Sequence, residues 1–362
     1  MHRHRNPGPY FRGPRRAHFP ILRLINNFIF CKGANRLYSS RAADASWRSK
    51  LKFGYQQPSH TFENVAIFER LKQIALDCEE QGYDSFWIMD HLLQIELVGR
   101  ADEPIMEAYT TLAALAAITG KIKLGVLATC NFFRSPSLLA KMGATIDQIS
   151  NGRFWLGIGA GWFKEEATRY GFEFRSDGER LRMLEESLQI ILKAWTEESP
   201  SFHGRYYSIE NFTLSPGPVQ KPRPPILVGG GGEKVTLRLV AKYADACNLF
   251  PKGEELRKKL DALKEHCKKE NRDYSSILKT KLASVMFGRD RENAMQKIDR
   301  YRPSWLDLEK YSSSFLLGSP SEIVGQVEEL AEIGIDYLIV NFRGKYDPND
   351  KKIFSRDVMS RF

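Results

Sequence analysis

The stretch PILVGGGGEKV, residues 225–235, reads in succession as a short apolar strand, a turn of four glycines and the start of a helix. Gly229, Gly230, Gly231 and Gly232 carry no side chains, and such a run costs chain entropy wherever it is held in one conformation. Bare N–H groups beside a helix N-terminus attract an anion, so a phosphate is the expected occupant, with a flexible turn as the alternative. The same alternation continues on both sides. Strand patterns begin near Lys52 (KFGYQ), Ser85 (SFWIM), Lys123 (KLGVLAT), Arg153 (RFWLGIG), Pro225 (PILVGG), Ala246 (ACNLF), Lys281 (KLASVMF) and Asp336 (DYLIVNF), with helical patterns between them. Eight such units predict a single α/β domain over residues 51–362, a parallel (β/α)8 TIM barrel.

Two helices are punctuated clearly. The pattern Glu63 to Gln81 stops at Gly82, which suits a left-handed C-cap, and Ser319-Pro320 suits the N-cap and first turn of what reads as the last helix. Two stretches interrupt the alternation. Ser199 to Pro224, with five Pro and the aromatics Tyr206, Tyr207 and Phe212, precedes the fifth strand, and Asp290 to Leu317 follows the seventh. Insertions of this kind either shape the mouth of a barrel or pack as flaps with no ligand role.

A length of 362 residues, 42% hydrophobic and 27% charged, suits one barrel with insertions, and no apolar run approaches the ~18 residues of a membrane span. We expect a soluble, cytoplasmic protein, with an organellar matrix as the alternative. The net charge of +10 sits entirely in residues 1–50, where nine Arg and two Lys face the single acid Asp44, leaving 43 bases balanced by 43 acids elsewhere. A neutral body gives no support to a nucleic-acid surface. The five cysteines are scattered, without a CxxC pair, which argues against a disulfide framework or a structural zinc site. No metal site is expected, and Cys78 and Cys247 read as core residues.

Catalytic groups of a barrel gather where its strands end. The second strand ends in Asp90-His91. Beyond residue 50 histidine occurs at 60, 91, 203 and 266, and His91 has the best position; a His beside a carboxylate can hold or shuttle a proton near neutral pH. A capping Asp with a surface His is the alternative. The fourth strand leaves through Gly157-Ile158-Gly159-Ala160-Gly161-Trp162, where a ligand can approach the backbone closely, but the third Gly and acidic partner of a dinucleotide fingerprint are missing.

Three motifs in order resemble the bacterial luciferase-like oxidoreductases, within them the branch that uses the deazaflavin coenzyme F420. They are Gly82-Tyr83-Asp84-Ser85-Phe86-Trp87 leading to Asp90-His91, Asp147 to Arg153 leading to Gly157–Trp162, and Gly229–Gly232 followed by Tyr243-Ala244-Asp245. The likeness spans roughly Lys52 to Phe342. It implies a third strand that bulges through a non-proline cis peptide at Leu127–Ala128. It also implies Asp90 against the cofactor ring and His91 assisting catalysis at the substrate side. Thr129 and Cys130 would lie against the cofactor, Ala160 and Gly161 beside its tail, and Gly231 and Gly232 on its phosphate. The branch that oxidises sugar phosphates has Glu at the position of Trp162 and Trp at that of Ile95, so the resemblance does not extend to that substrate and a more apolar pocket is expected. An F420-dependent oxidoreductase acting on a small organic molecule is the leading expectation. An FMN-dependent monooxygenase and a non-catalytic flavin carrier are the alternatives. The resemblance also implies a homodimer and a flavin or F420 reductase as possible cofactor supplier.

Residues 1–50, Arg-rich and poor in acids, read as a disordered extension, an organellar transit segment or upstream sequence translated in error. Deleting them should leave folding and cofactor binding intact. A drop in melting temperature of more than ~5 °C, about 1–2 kcal/mol, would show that they pack on the barrel.

Overall fold

The computed structural model describes residues 51–63, 65–343 and 347–362; the N-terminal extension expected over residues 1–50 lies outside the described residues. The strands are β1 (Lys52–Gln57), β2 (Ser85–Ile88), β3 (Lys123–Val126), β4 (Thr129–Cys130), β5 (Phe154–Gly159), β6 (Phe202–His203), β7 (Ser208–Ile209), β8 (Ile226–Gly229), β9 (Ala246–Leu249), β10 (Leu278–Phe287), β11 (Phe315–Gly318) and β12 (Tyr337–Phe342). The α-helices are α1 (Ile67–Glu80), α2 (Ala108–Ile118), α3 (Pro136–Ser150), α4 (Lys164–Arg169), α5 (Asp177–Thr196), α6 (Thr236–Tyr243), α7 (Gly253–Lys269), α8 (Arg291–Tyr301), α9 (Leu308–Ser312), α10 (Pro320–Ile333) and α11 (Pro348–Ile353). Strands β1, β2, β3 with β4, β5, β8, β9, β10 and β12 pair in parallel, in that order, and β12 returns to β1. The ring closes where Leu278–Lys281 of β10 meets Ala246–Leu249 of β9, giving the expected (β/α)8 barrel.

The predicted third strand is divided. Gly125 is registered with Trp155 and Thr129 with Ile158, so four steps on one strand oppose three on the other and one residue bulges out. The Leu127–Ala128 peptide within this bulge is cis, as the resemblance implies. The insertion after the seventh strand holds more structure than its sequence suggests. It contains α8, α9 and part of β11, a short apolar strand that pairs with Ser284–Phe287 of β10. Strand β10 outruns β9 and would otherwise leave that edge open, which accounts for the extra strand. The insertion before the fifth strand forms the β6–β7 hairpin, whose turn amides at Arg205, Tyr206 and Tyr207 all donate to Glu186 on α5.

Side-chain alternation builds two cores. Outward-facing strand residues such as Tyr55, Phe86, Ile158 and Val228 pack on the helices, and Cys78 and Cys247 lie in this layer as expected. Inside the ring, Trp87 packs with Leu127, Leu227, Leu278, Tyr337 and Ile339. Its indole depends on glycine neighbours, because a Cβ on Gly125 would come within 2.3 Å of the Trp87 ring. Helix α1 runs into Gly82 at φ 81°, and α10 opens with a Ser319–Glu322 capping box, both as the sequence indicates, although α11 follows α10. Helix α1 starts later than predicted, since residues 58–63 belong to a loop at the barrel mouth. That loop is anchored by His60, which is buried and accepts the Met106 N–H at Nδ1 (2.8 Å).

Burial lowers the His60 imidazole from 6.5 to about 4. The unfolded chain therefore binds the extra proton first, and the stability contributed by neutral His60 is present above pH 6.5 and lost as pH falls through 4. The loss should be of the order of 3 kcal/mol at most. An H60N variant, which retains an acceptor but does not titrate, should show a smaller drop in melting temperature between pH 6.5 and 4 than the parent.

Candidate active site

A cavity of about 810 Å³ opens at the C-terminal ends of the barrel strands, and every site residue singled out from the sequence lines it: Asp90, His91, Leu127, Ala128, Thr129, Cys130, Ala160, Gly161 and Gly229 to Gly232. Strand β2 ends at Ile88, so the chain is already turning at Asp90 and both it and His91 reach the cavity.

The two neighbours are held differently. The Asp90 carboxylate is fully enclosed and accepts the Cys130 N–H (3.0 Å) and both terminal nitrogens of Arg134 (2.8 and 3.0 Å). Burial pushes its pKa up, against the opposing pull of Arg134. Arg134 lies over the Tyr109 ring, 4.6 Å from its centroid, and also pairs with Glu107, the N-cap of α2. Asp90 therefore presents a saturated ion pair that ties the exits of β2 and β4 to α2. His91 instead meets Glu166, a buried carboxylate on α4, through Nδ1 at 3.1 Å. Glu166 also accepts the Leu92 and Leu93 amides, which holds it still. A carboxylate on Nδ1 stabilises the tautomer with its proton there and leaves Nε2 for the cavity. The rings of Trp162 and Phe163 meet the His91 edge at 5.7 and 6.1 Å.

On the other side, the glycine loop joins β8 to the N-terminus of α6, which has no side-chain cap. Within the loop the Gly230 N–H donates to the Asn248 carbonyl at 3.3 Å. Lys259 of α7 stands beside this loop, paired with Glu233 at 2.7 Å, and His266 Nε2 lies 2.7 Å from the Glu233 carbonyl. Gly161, at φ 76°, has no room for a side chain, since a Cβ would lie 2.5 Å from Phe132 and 2.6 Å from Cys130 Sγ.

The cavity floor carries amides. Ser284 donates to Asn341, Asn341 to Gln56, and Gln56 to the Leu127 carbonyl (2.7, 2.8 and 3.1 Å). Thr280 donates to Asn248 Oδ1, leaving the buried Asn248 Nδ2 without a partner among the described residues. Sequence reading missed Gln56, Asn248, Asn341, Arg134 and Glu166. The polar residues placed within otherwise apolar strands were the available signal for the three amides, but nothing local marks Glu166 as the partner of a His 75 positions away. The insertion after the seventh strand lines the cavity through Trp305, Leu306, Lys310, Tyr311 and Ser314, whereas the hairpin insertion does not contribute.

A closed parallel barrel whose strand-end cleft combines a glycine loop at a helix N-terminus, a bulged third strand and a carboxylate-held histidine defines a cofactor-binding barrel enzyme. The chain belongs to the luciferase-like monooxygenase family, whose model matches residues 51–315. It is 27% identical to an F420-dependent glucose-6-phosphate dehydrogenase of Amycolatopsis mediterranei (strain U-32), over 86% of this chain and 98% of that protein. It is 29% identical to an FMNH(2)-dependent dimethylsulfone monooxygenase of Pseudomonas putida, over 65% of this chain and 73% of that one. Among solved structures, an F420-dependent secondary alcohol dehydrogenase in complex with an F420-acetone adduct superposes with a TM-score of 0.74 at 19% identity, covering 85% of this chain and 98% of that chain, a likeness of fold.

If Glu166 acts by orienting His91, the two residues should not behave independently. His91→Ala should lower kcat by ~10²-fold or more with any substrate the parent accepts, and Glu166→Gln should lower it in the same direction by less. The double variant should be no slower than His91→Ala alone. Additive losses in steady-state kinetics would separate the roles.

Proposed function

We propose that this protein is a coenzyme F420-dependent oxidoreductase that moves a hydride between the deazaflavin and a small organic substrate. The observation that carries the reading is the open glycine cradle at the uncapped N-terminus of α6, on the same cavity as the bulged third strand and the His91–Glu166 pair. The residues fit such a group. The loop has no side chains to displace, Asn248 Nδ2 is a buried donor in want of an acceptor, and the cavity has the size of a cofactor site. The F420-dependent relatives, matched over nearly their whole length, support it.

When bound, the deazaflavin supplies a two-electron hydride carrier. The chain supplies placement and protons. The amides of Gly231 and Gly232 would hold the phosphate, with Lys259 beside them, while Leu127, Ala128, Thr129 and Cys130 would back the ring and Ala160 and Gly161 would border the tail. Asp90, already paired with Arg134, fixes the exits of β2 and β4, which would border the ring. His91 holds or delivers a proton at Nε2 toward the substrate, and Glu166 stabilises the imidazolium formed when it takes one. Trp162 and Ile95 line the cavity where sugar-phosphate enzymes of the branch carry Glu and Trp, so we assign a more apolar substrate. A second reading, an FMN-dependent monooxygenase, uses the same ring site and phosphate cradle and is favoured by the Pseudomonas putida relative.

No helix among the described residues is long and apolar enough to cross a membrane, and Cys78, Cys130, Cys247 and Cys267 are free thiols. These features support a reducing compartment, the cytoplasm or an organellar matrix. The homodimer and a reductase that supplies cofactor are carried in the proposal by the family resemblance.

The test is titration of the full chain with F420 and, separately, with oxidised and reduced FMN. F420 should bind, and Gly232→Val, whose Cβ would lie 2.9 Å from Thr236 Oγ1, should weaken it by about tenfold or more without unfolding the barrel. Binding of FMN alone would establish the second reading, and binding of neither would overturn both.

A further inference from the structure

The charges lining the cavity are matched everywhere but on one wall. Asp90 is paired with Arg134, Glu166 with His91, and Lys259 at the cavity's edge with Glu233. The exception lies where β12 ends and the second insertion folds over it. Arg343 lines the cavity there, its guanidinium 5.3 Å from the Phe315 ring centroid and 5.8 Å from that of Tyr311. Its Nε is buried without a hydrogen-bond partner, a side-chain hydrogen bond joins the guanidinium to Tyr311, and among the described residues no carboxylate pairs with it. Lys310 lines the same wall, and no carboxylate among the described residues pairs with its ammonium. The Tyr311 hydroxyl donates to the Leu97 carbonyl, which ties this wall to the loop that follows His91.

A guanidinium cannot discard its charge and offers five N–H donors, so a buried, unmatched one is costly unless a ligand completes it. Aromatic faces steady the cation but accept none of its in-plane hydrogen bonds. The apolar residues of the same cavity, Ile95, Leu97, Val98 and Leu306, would cover the rest of such a ligand.

We propose that Arg343, assisted by Lys310, selects substrates that carry an oxyanion, a carboxylate or sulfonate, on an otherwise apolar body. The inference rests on the function proposed above, because it assigns the substrate end of that same cavity. The cofactor's own anionic groups are a poorer match. Round the ring β12 is separated from β8 by β10 and β9, so Arg343 and the glycine cradle stand on different walls.

Binding of 4-phenylbutyrate, benzenesulfonate and the neutral 4-phenylbutanamide to the full chain, measured by calorimetry with and without F420, tests the assignment. The carboxylate should bind the parent at least about tenfold more tightly than the amide. Arg343→Met, which keeps an apolar stem against Tyr311 and Phe315, should abolish that preference. Arg343→Lys should keep part of it, and Lys310→Met should reduce it. F420 affinity should stay within about twofold throughout. Equal affinities for acid and amide in the parent, or an undiminished preference in both Arg343 variants, would overturn the proposal. So would a parallel loss of F420 affinity in Arg343→Met, which would give the arginine to the cofactor tail. If F420 fails to bind while the Arg343-dependent preference persists, the cofactor assignment falls and the anion site stands.

Discussion

A parallel barrel closes only if its interior is filled, and in this protein the filling is organised around one large side chain. Trp87 enters from β2 and packs with the inward residues of β8, β10 and β12, while its indole N–H donates to Ser85 Oγ at 2.6 Å, an atom the Tyr337 hydroxyl also reaches. The ring is admitted because Gly125 of β3 presents no Cβ to it. Filling the N-terminal half in this way leaves the C-terminal half free to stay open. The cleft is thus a consequence of where the interior stops being packed, and its floor rests on a rigid plug.

Above the plug the interior changes from hydrocarbon to amide. Gln56, Asn341 and Ser284 form a row that ends on the Leu127 carbonyl, and Asn248 with Thr280 forms a second group across the ring. Buried polar groups in such a place must be paired with one another or with a ligand. The row is paired, and it positions the bulged segment between β3 and β4. Among the described residues Asn248 Nδ2 and Arg343 Nε are unpaired, and both residues border the cavity. The ionic groups divide in the same manner. Asp90 with Arg134 is internally complete and holds loops together, whereas His91 with Glu166 keeps one ring nitrogen in reserve. Neighbours in sequence thus serve different ends because their partners come from different elements.

The two insertions illustrate how little composition says about role. The segment before β8 is rich in aromatics and proline, and it folds into a hairpin held by Glu186 on the outside of α5. The segment after β10 is rich in charged residues. It supplies a strand to an exposed edge of β10 and brings Trp305, Lys310 and Tyr311 over the cleft.

The resemblance to the luciferase-like family implied the cis bond at Leu127–Ala128; by itself the sequence determined the barrel, its eight strand positions, the glycine run after the fifth strand and the pair at the exit of β2. Each of these is written in residues adjacent along the chain, as apolar runs, glycines and motif spacing, and short-range pattern survives without coordinates. Only the tertiary structure decided which groups complete them. Glu166 reaches His91 from 75 residues away, Arg134 reaches Asp90 from 44, and Arg343 is left uncompensated by acids that fold elsewhere. Pairing and burial depend on which strand ends converge in space, and sequence separation carries no record of that distance.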